Sequence, residues 1–200
     1  MADYAWPYFP ITRFVMRVAP LGKLFPSPYS NQVQAIDMMG DCWMVEMDLA
    51  PGVGLAQGLA IEAFLDRLKG AANRIILPNL RMPRNLGTMS GSPVLASAAA
   101  QLTNMLPIST TVGATVNVGD MLGCGGQLFR ALTAGTADGS GHVTVEVAPR
   151  VRVAGGIPSG TPVIISAPTA PFILSSANPT VEWLPGQQYV APALTLRESF

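Results

Sequence analysis

The sequence is poor in charged residues, in histidine and in cysteine. Only 12% of its 200 residues are Asp, Glu, Lys or Arg, about half of the usual ~25%. Its 12 basic residues balance 12 acidic ones, and a neutral chain without a basic cluster gives little support for nucleic-acid binding. The one histidine and the two cysteines, Cys42 and Cys124, match no metal-site spacing. We therefore predict no metal site and no cofactor, and we expect both thiols to be buried and free.

Long apolar runs are missing as well. No segment offers the ~20 apolar residues of a membrane-spanning helix, and the nearest, Pro93 to Met105, is short and interrupted by polar residues. The N-terminus, MADYAWPYFP, lacks the basic region and apolar core of a signal peptide. We expect a soluble protein that is made in the cytoplasm and does not insert into a membrane.

Charge is unevenly distributed along the chain. Residues 1–84 hold 15 of the 24 charged residues, whereas 85–119 contain none. We predict one module at 1–84, an uncharged arm or crossover at 85–109 and a second module at 110–184, with residues 185–200 returning to the first module. Two interpretations of the arm are open: it packs against a neighbouring subunit, or it is an ordinary surface loop with a short helix. The weak pattern of Pro93 to Leu106 would form that helix.

The first module has the pattern of a β-sheet with one helix. Cys42 to Leu49 alternates between apolar and polar residues, which predicts a strand with one face on a core. Leu55 to Lys69 places apolar residues at i, i+3, i+4 and i+7 and is followed by glycine, as in a helix with a glycine stop. Further strands are predicted at 13–18, 32–38 and 74–77, and Leu24 to Asn31 is predicted as a loop because it contains two prolines.

The second module has short strands with glycine-rich corners. The runs at 112–118, 127–132 and 142–147 are separated by turn signals such as Gly123-Cys124-Gly125-Gly126 and Asp138-Gly139-Ser140-Gly141. Such spacing indicates an antiparallel barrel or sandwich. The fold class predicted for the whole chain is mainly β with one helix, in which an antiparallel barrel of the OB type is inserted into the first sheet.

Three patterns resemble chemical motifs but have simpler interpretations. Gly52, Gly54 and Gly58 lie between a strand and a helix, as in dinucleotide-binding proteins, but no acidic residue follows the next strand, so a strand-to-helix turn is favoured. His142 lies near Ser140 and Asp138 on one tight turn, where a catalytic triad cannot form. Methionines 38, 39, 44 and 47 are conceivable copper ligands, although apolar packing is favoured. We predict no enzymatic activity.

Two groups of residues are candidates for a structural role. Glu46 and Asp48 share one face of the Cys42–Leu49 strand and form either a solvated or a channel-facing acidic stripe. Trp6, Tyr8 and Phe9 lie in an aromatic, proline-rich opening segment that reads as an arm, and they are predicted to contact a partner, because aromatic residues supply much of the energy of interfaces.

A series of turns and strands in the barrel region forms a recognisable motif, made of Gly119-Asp120-Met121-Leu122-Gly123, Gly126-Gln127-Leu128-Phe129-Arg130, Ala137 to Gly141 and Pro149 to Arg152. With this motif the region resembles the β-barrel part of distal tail and minor tail proteins of long-tailed, non-contractile bacteriophages. Every element of the motif is a turn or a strand, so it indicates a fold and carries no chemistry. The resemblance covers about a quarter of the chain well and the rest only in outline.

This resemblance implies a structural protein of the tail tip of such a phage, of a prophage or of a gene-transfer agent. Members of the family form a ring, usually of six copies, that joins the tail tube to the baseplate hub. The first module would then be a tail-tube-like ring, with Glu46 and Asp48 giving its lumen a negative charge that lets DNA pass. The barrel would hold a fibre or receptor-binding protein, and the other implied partners are the tail tube, hub and tape-measure proteins.

Two other interpretations stay open. The chain could be another baseplate component, such as a trimeric hub or minor tail protein. It could instead be a carbohydrate-binding module, although the predicted barrel contains only Phe129 and Phe172, with Trp183 at its end, as aromatic residues.

Overall fold

A computed structural model describes residues 1–26, 28–30, 32–80, 85–176, 179–186 and 188–199, and the side chain of Val53 is not described. Over these residues the chain is mainly β with a single helix. The elements in chain order are β1 (Asp3–Ala5), β2 (Ile11–Ala19), β3 (Gly22–Pro26), β4 (Val33–Asp37), β5 (Cys42–Leu49), β6 (Gly52–Val53), α1 (Leu55–Leu68), β7 (Arg74–Pro78), β8 (Val94–Leu95), β9 (Met105–Ser109), β10 (Thr115–Val116), β11 (Met121–Cys124), β12 (Gln127–Ala131), β13 (Gly135–Thr136), β14 (His142–Ala148), β15 (Val163–Ile164), β16 (Thr169–Leu174), β17 (Glu182–Leu184), β18 (Gln188–Val190) and β19 (Ala193–Glu198).

The first sheet has six strands in the order β1-β7-β16-β19-β5-β2, and only the β1–β7 pair is parallel. The strand predicted at Cys42 to Leu49 is confirmed with the same bounds, and its alternation has the expected cause. Trp43, Val45, Met47 and Leu49 are buried in one core cluster, whereas the residues between them lie on the outer face. The C-terminal strand β19 lies between β16 and β5.

The helix α1 covers the inner face of this sheet and confirms the helix that the periodicity predicted. Ile61, Phe64, Leu65 and Leu68 are buried in the same cluster as the β5 side chains. The helix ends because Lys69 adopts a left-handed conformation with φ 48°, and a helix commonly closes with such a residue. The fixed spacing of apolar side chains thus positions the helix against the sheet.

The glycines before and within this helix serve packing, and the arrangement excludes a dinucleotide fold. β7 is separated from β5 by two strands and runs antiparallel to it, whereas dinucleotide binding requires parallel strands around a crossover helix. A Cβ atom on Gly58 would lie 2.5 Å from the Trp183 ring, and one on Gly52 would lie 2.5 Å from the Tyr189 hydroxyl. These two glycines let the small sheet β17-β18-β6 approach the helix.

The second sheet is a nearly closed antiparallel barrel of six strands in the order β15-β11-β12-β14-β9-β8. Its two edges meet where Val94 bridges Pro162 and where Leu95 N donates to Thr161 O at 2.9 Å. Leu106, Phe129, Val145 and their neighbours fill the interior as a second core cluster. The barrel predicted from short strands and glycine corners is confirmed at this level.

The helix expected at Pro93 to Leu106 is wrong. This segment forms β8 and the start of β9, with a bridge between Ala99 and Ile157 between them. Leu106 and Ile108 point into the barrel while their neighbours point out. Pro107 has no N–H group and suits a strand better than a helix interior. Backbone pairing of β8 with β9 at this edge of the barrel outweighs the weak helical pattern of the segment.

Strand pairing also divides the chain differently from the predicted ranges. Residues 94–95 and 105–109, predicted within the uncharged arm, belong to the barrel. Residues 169–174, predicted within the barrel module, form β16, which lies between β7 and β19 in the first sheet. Pairing depends on which strand edge is available in three dimensions, and charge distribution along the sequence does not encode that.

Candidate functional site

Glu46 and Asp48 lie on the exposed outer face of the first sheet, next to two arginines of β2. Arg17 pairs with Glu46 at 3.1 Å, and Arg13 lies 3.7 Å from both carboxylates. All four side chains are partly exposed, so each ion pair contributes less than about 1 kcal/mol. The predicted acidic stripe is therefore one half of a mixed stripe, since Arg13 lies opposite Asp48 and Glu46 lies between Arg13 and Arg17 on the neighbouring strand.

The rest of this face also contains both signs of charge. One row across the sheet is formed by register partners and carries arginines on three strands, β2, β19 and β7. Its members are Arg17, Met44, Arg197, Ile173, Arg74 and Asp3. Arg74 is held by Asp3 through bonds of 2.6 and 3.0 Å. Arginines slightly outnumber carboxylates on this face, so it is not an acidic surface.

The aromatic arm folds back on its own chain. Trp6 is only 3% exposed, and its ring packs edge-to-face on Phe9 at 5.6 Å and on Phe64 at 5.8 Å. Trp6 N donates to Ile76 O, which extends the pairing of β1 with β7. Trp6 is thus a core residue and not an exposed anchor, because the helix offers it an apolar surface within the same molecule. Tyr8, 72% exposed, is accessible to a partner.

An exposed apolar hairpin, which we call the hairpin, comprises the described residues 21–26, 28–30 and 32–39. β3 and β4 pair along five residues each, and every residue of both strands is exposed. Eight large apolar side chains with 42–97% exposure lie in this segment: Leu21, Leu24, Phe25, Tyr29, Val33, Ile36, Met38 and Met39. The register places Leu24 and Val33 on one face of the hairpin and Phe25 and Ile36 on the other, so both faces expose apolar side chains. Monomeric proteins rarely leave so much apolar surface uncovered.

The hairpin is fastened at its base to the barrel. Arg150 donates to the Asp37 carboxylate and lies 3.7 Å from Asp41. The hydrogen bond from Arg150, and then the one from the Met39 N–H, lowers the pKa of Asp37. The prediction of a loop at 24–31 missed the β3 strand. The available signal was a pair of short apolar runs, Leu24-Phe25 and Val33 to Ile36, around turn-forming residues.

A second exposed apolar surface, which we call the helix patch, lies at the start of α1. It consists of Leu55 and Leu59 from the helix and Trp183 from β17, each 38–47% exposed. The Trp183 ring leans on Tyr189, with centroids 6.1 Å apart. The close approach that Gly58 allows is what brings β17 beside the two leucines.

The two modules share a buried junction. Trp43 donates from Nε1 to Leu128 O at 2.7 Å, and the Arg130 guanidinium lies 4.8 Å from the Trp43 ring centroid. Arg152 donates to the carbonyls of Gly40 and Asp41 at 3.1 and 2.7 Å. These contacts join the barrel to the start of β5.

A carboxyl group is buried at this junction. Glu198 is 4% exposed, and its Oε2 accepts a hydrogen bond of 3.1 Å from the Trp43 N–H. Burial raises the pKa of Glu198 to about 7, against the smaller opposing effects of hydrogen bonds from Trp43 and Leu128 and of the charge on Arg152. Sequence analysis did not single out this residue. It follows Leu194 and Leu196 at inward positions of β19, where an acid interrupts an apolar alternation.

The remaining reactive side chains are separate from one another. Both cysteines are free and buried, as predicted, and burial raises the pKa of Cys124 to about 11. His142 is exposed beside a turn in which Asp138 accepts hydrogen bonds from the N–H groups of Ser140 and His142. Within the described ranges, no group of three His, Cys, Asp or Glu residues is placed to hold a metal ion. The described helix is too short to cross a membrane.

A groove of about 530 Å³ lies between the barrel corner and the first sheet, and it is lined by Arg74, Arg152, Gly125, Gly126 and Pro171 among others. Both guanidinium groups have partners on the protein, namely Asp3 for Arg74 and the carbonyls of Gly40 and Asp41 for Arg152. The charge of the groove therefore does not indicate a class of ligand.

The sequence matches no protein-family model, and no curated protein matches it.

Proposed function

We propose that this protein is a structural component of a phage tail tip, a distal tail protein that assembles with itself into a ring between the tail tube and the baseplate hub. The observation that carries self-assembly is the exposed apolar hairpin. The resemblance supports the kind of assembly, since its residues lie on β11, on β12 and in the segments on either side of β14 in the barrel.

The hairpin favours a partner on energetic grounds. A two-stranded hairpin is marginally stable in water, and this one exposes both of its faces. Burying one large apolar side chain contributes roughly 1.5–3 kcal/mol, and each face of the hairpin offers at least two such side chains, Leu24 and Val33 on one and Phe25 and Ile36 on the other. A protein–protein contact on this surface would therefore be strongly favourable, while a permanently free hairpin would promote aggregation.

The two modules have different proposed roles. The first sheet is the tail-tube-like, ring-forming part, and the barrel, of the OB type, projects to hold a fibre or receptor-binding protein. Glu46 and Asp48 face the lumen together with Arg13 and Arg17, so the proposed channel wall has mixed charge. Its other partners are the tail tube, hub and tape-measure proteins, and DNA contacts it only in transit. It would be made in the host cytoplasm, act within the virion and need neither a cofactor nor catalysis.

A trimeric hub or minor tail protein is the alternative within the same class, and it uses the same apolar surface. The carbohydrate-binding alternative has less support. Exposed aromatic side chains of the described chain lie at Tyr8, Phe25, Tyr29 and Trp183, all outside the barrel, and Phe129 is fully buried within it. Sugar-binding surfaces use exposed aromatic rings.

The direct test is the mass and shape of the purified protein, measured by light scattering on a sizing column and by negative-stain electron microscopy. We expect a ring of six copies with a central channel. A closed trimer would favour the hub alternative. A protein that stays monomeric at high concentration would contradict self-assembly through the hairpin.

A further inference from the structure

We propose that the hairpin of one copy docks on the helix patch of the next copy, so that the copies join head to tail. This inference rests on the proposed self-assembly and adds the surface that receives the hairpin. Both surfaces are apolar, and each belongs to the first module.

The two surfaces lie at opposite ends of one strand. The hairpin occupies the chain between Ala19, the last residue of β2, and Cys42, the first residue of β5, and these two residues are register partners. The helix patch begins just beyond Leu49, where β6 leads into α1. The strand that separates them, β5, has eight residues, and an extended strand of that length spans about 24 Å. The hairpin is tied to the barrel at its own end by Arg150, so it cannot cover the patch of its own molecule.

The charges near the two surfaces are complementary. Lys23 is the basic residue of the hairpin, and its Nζ lies 5.4 Å from the centroid of the Phe25 ring. The hairpin's acid, Asp37, is already paired with Arg150. On the side of the patch, Glu62 lies one helical turn beyond Leu59, on the same face of α1 as Leu55 and Leu59. Opposite charge at the rim favours this pairing and opposes contact between two hairpins.

The symmetry of the contact follows from its two different surfaces. Each copy offers one hairpin and one patch, so every contact is heterologous and leaves a free surface at each end of a growing chain. Such a chain closes into a ring when the rotation per copy allows it. A pair of hairpins packing on each other would instead stop at a dimer.

The experiment uses two variants of the full chain that each disable one surface. Phe25→Asp places a charge on the hairpin face that carries Lys23, and Leu59→Asp places one on the helix patch; these side chains are 42% and 47% exposed, so the fold tolerates both changes. Val118→Asp, on an exposed turn of the barrel at 61% exposure, is the matched control. Light scattering at equal protein concentration measures the mass, and thermal melts check that each variant is folded.

We expect each single variant to be a monomer and the Val118→Asp control to assemble like the wild type. An equimolar mixture of the two variants keeps one intact hairpin and one intact patch, so it should form a species of twice the 21.0 kDa protomer mass and nothing larger. If Leu59→Asp assembled like the wild type while Phe25→Asp stayed monomeric, the proposed receiving surface would be overturned, and self-assembly through the hairpin would still stand. A monomeric wild type would overturn both proposals.

Discussion

At the scale of single residues, burial and pairing decide what each charged side chain does. Glu46 and Glu198 are both glutamates, yet Glu46 lies in an exposed ion pair while Glu198 lies in the junction between the modules. A buried carboxyl group loses the hydration that stabilises its charge, and this raises its pKa. Glu198 therefore couples the stability of this fold to pH between pH 5 and 8.

We predict that the protein becomes less stable as pH rises from about 5 to 8. The pKa of Glu198 is about 7 in the folded protein against a model value of 4.5, so the folded state binds a proton more tightly than the unfolded chain does. The stabilisation is complete below pH 4.5 and is lost as pH rises through 7, by on the order of 2 kcal/mol. Thermal melts at constant ionic strength should show a fall in Tm of roughly 5 °C.

Glu198→Gln provides the control for this prediction, because an amide of the same shape does not titrate. Its Tm should be nearly independent of pH over this range. If the variant kept the slope of the wild type, another group would be responsible. The pKa values of Asp37 and Asp138 are lowered in the folded protein, so protonation of these two groups in acid destabilises it. This effect has the opposite sign to that of Glu198 and occurs below the range from pH 5 to 8.

At the scale of elements, a strong local pattern was enough to predict some segments and not others. β5 and α1 were predicted from periodicity because each has one face on a core and one face in water. The β3–β4 hairpin shows no such alternation, since both of its faces are exposed, and β3 was predicted as a loop. Residues 93–106 had a weak helical pattern that the open edge of the barrel overrides.

We predict that Gly58→Ala destabilises the protein even though alanine is the better helix former. The new methyl group would lie 2.5 Å from the Trp183 ring and 3.1 Å from Tyr189, and overpacking of this kind costs about 1–3 kcal/mol. Alanine recovers only about 1 kcal/mol of helix propensity. Urea unfolding measured by tryptophan fluorescence should therefore give a lower midpoint than the wild type.

Ala60→Gly is the control, because Ala60 is exposed on the same helix and its replacement changes helix propensity without a steric clash. It should lower the free energy of unfolding by about 1 kcal/mol. Equal or greater stability of Gly58→Ala would show that the sheet β17-β18-β6 yields to the methyl group, and the packing assigned to Gly58 would be incorrect.

At the scale of the whole molecule, two sheets are joined so that each terminal segment contributes to the same one. The barrel occupies the middle of the chain, and the junction around Trp43 and Leu128 connects it to β5. The outer face of the first sheet, the hairpin and the helix patch remain available to other molecules. Their arrangement is the basis for proposing an assembly with a channel wall on one face.

We predict that combining Glu46→Lys with Asp48→Lys preserves folding and assembly but slows DNA ejection from virions that carry the variant. The exposed ion pairs are worth little to stability, whereas reversing both charges beside Arg13 and Arg17 creates a cationic patch that attracts phosphate. Triggered ejection from complemented virions measures the effect. Thr136→Lys with Thr144→Lys, two exposed barrel positions, is the control, and unchanged ejection in the Glu46 and Asp48 variant would contradict their placement at the lumen.

The sequence by itself determined the mainly β class, the β5 strand, the single helix and the short strands of the barrel, because each follows from side-chain periodicity within one segment. Only the tertiary structure decided that Trp6 is buried, that arginines neutralise Glu46 and Asp48, that Glu198 lies at a junction and that the hairpin is left exposed. Those outcomes depend on which distant segments become neighbours, and strand pairing and packing between elements set that choice.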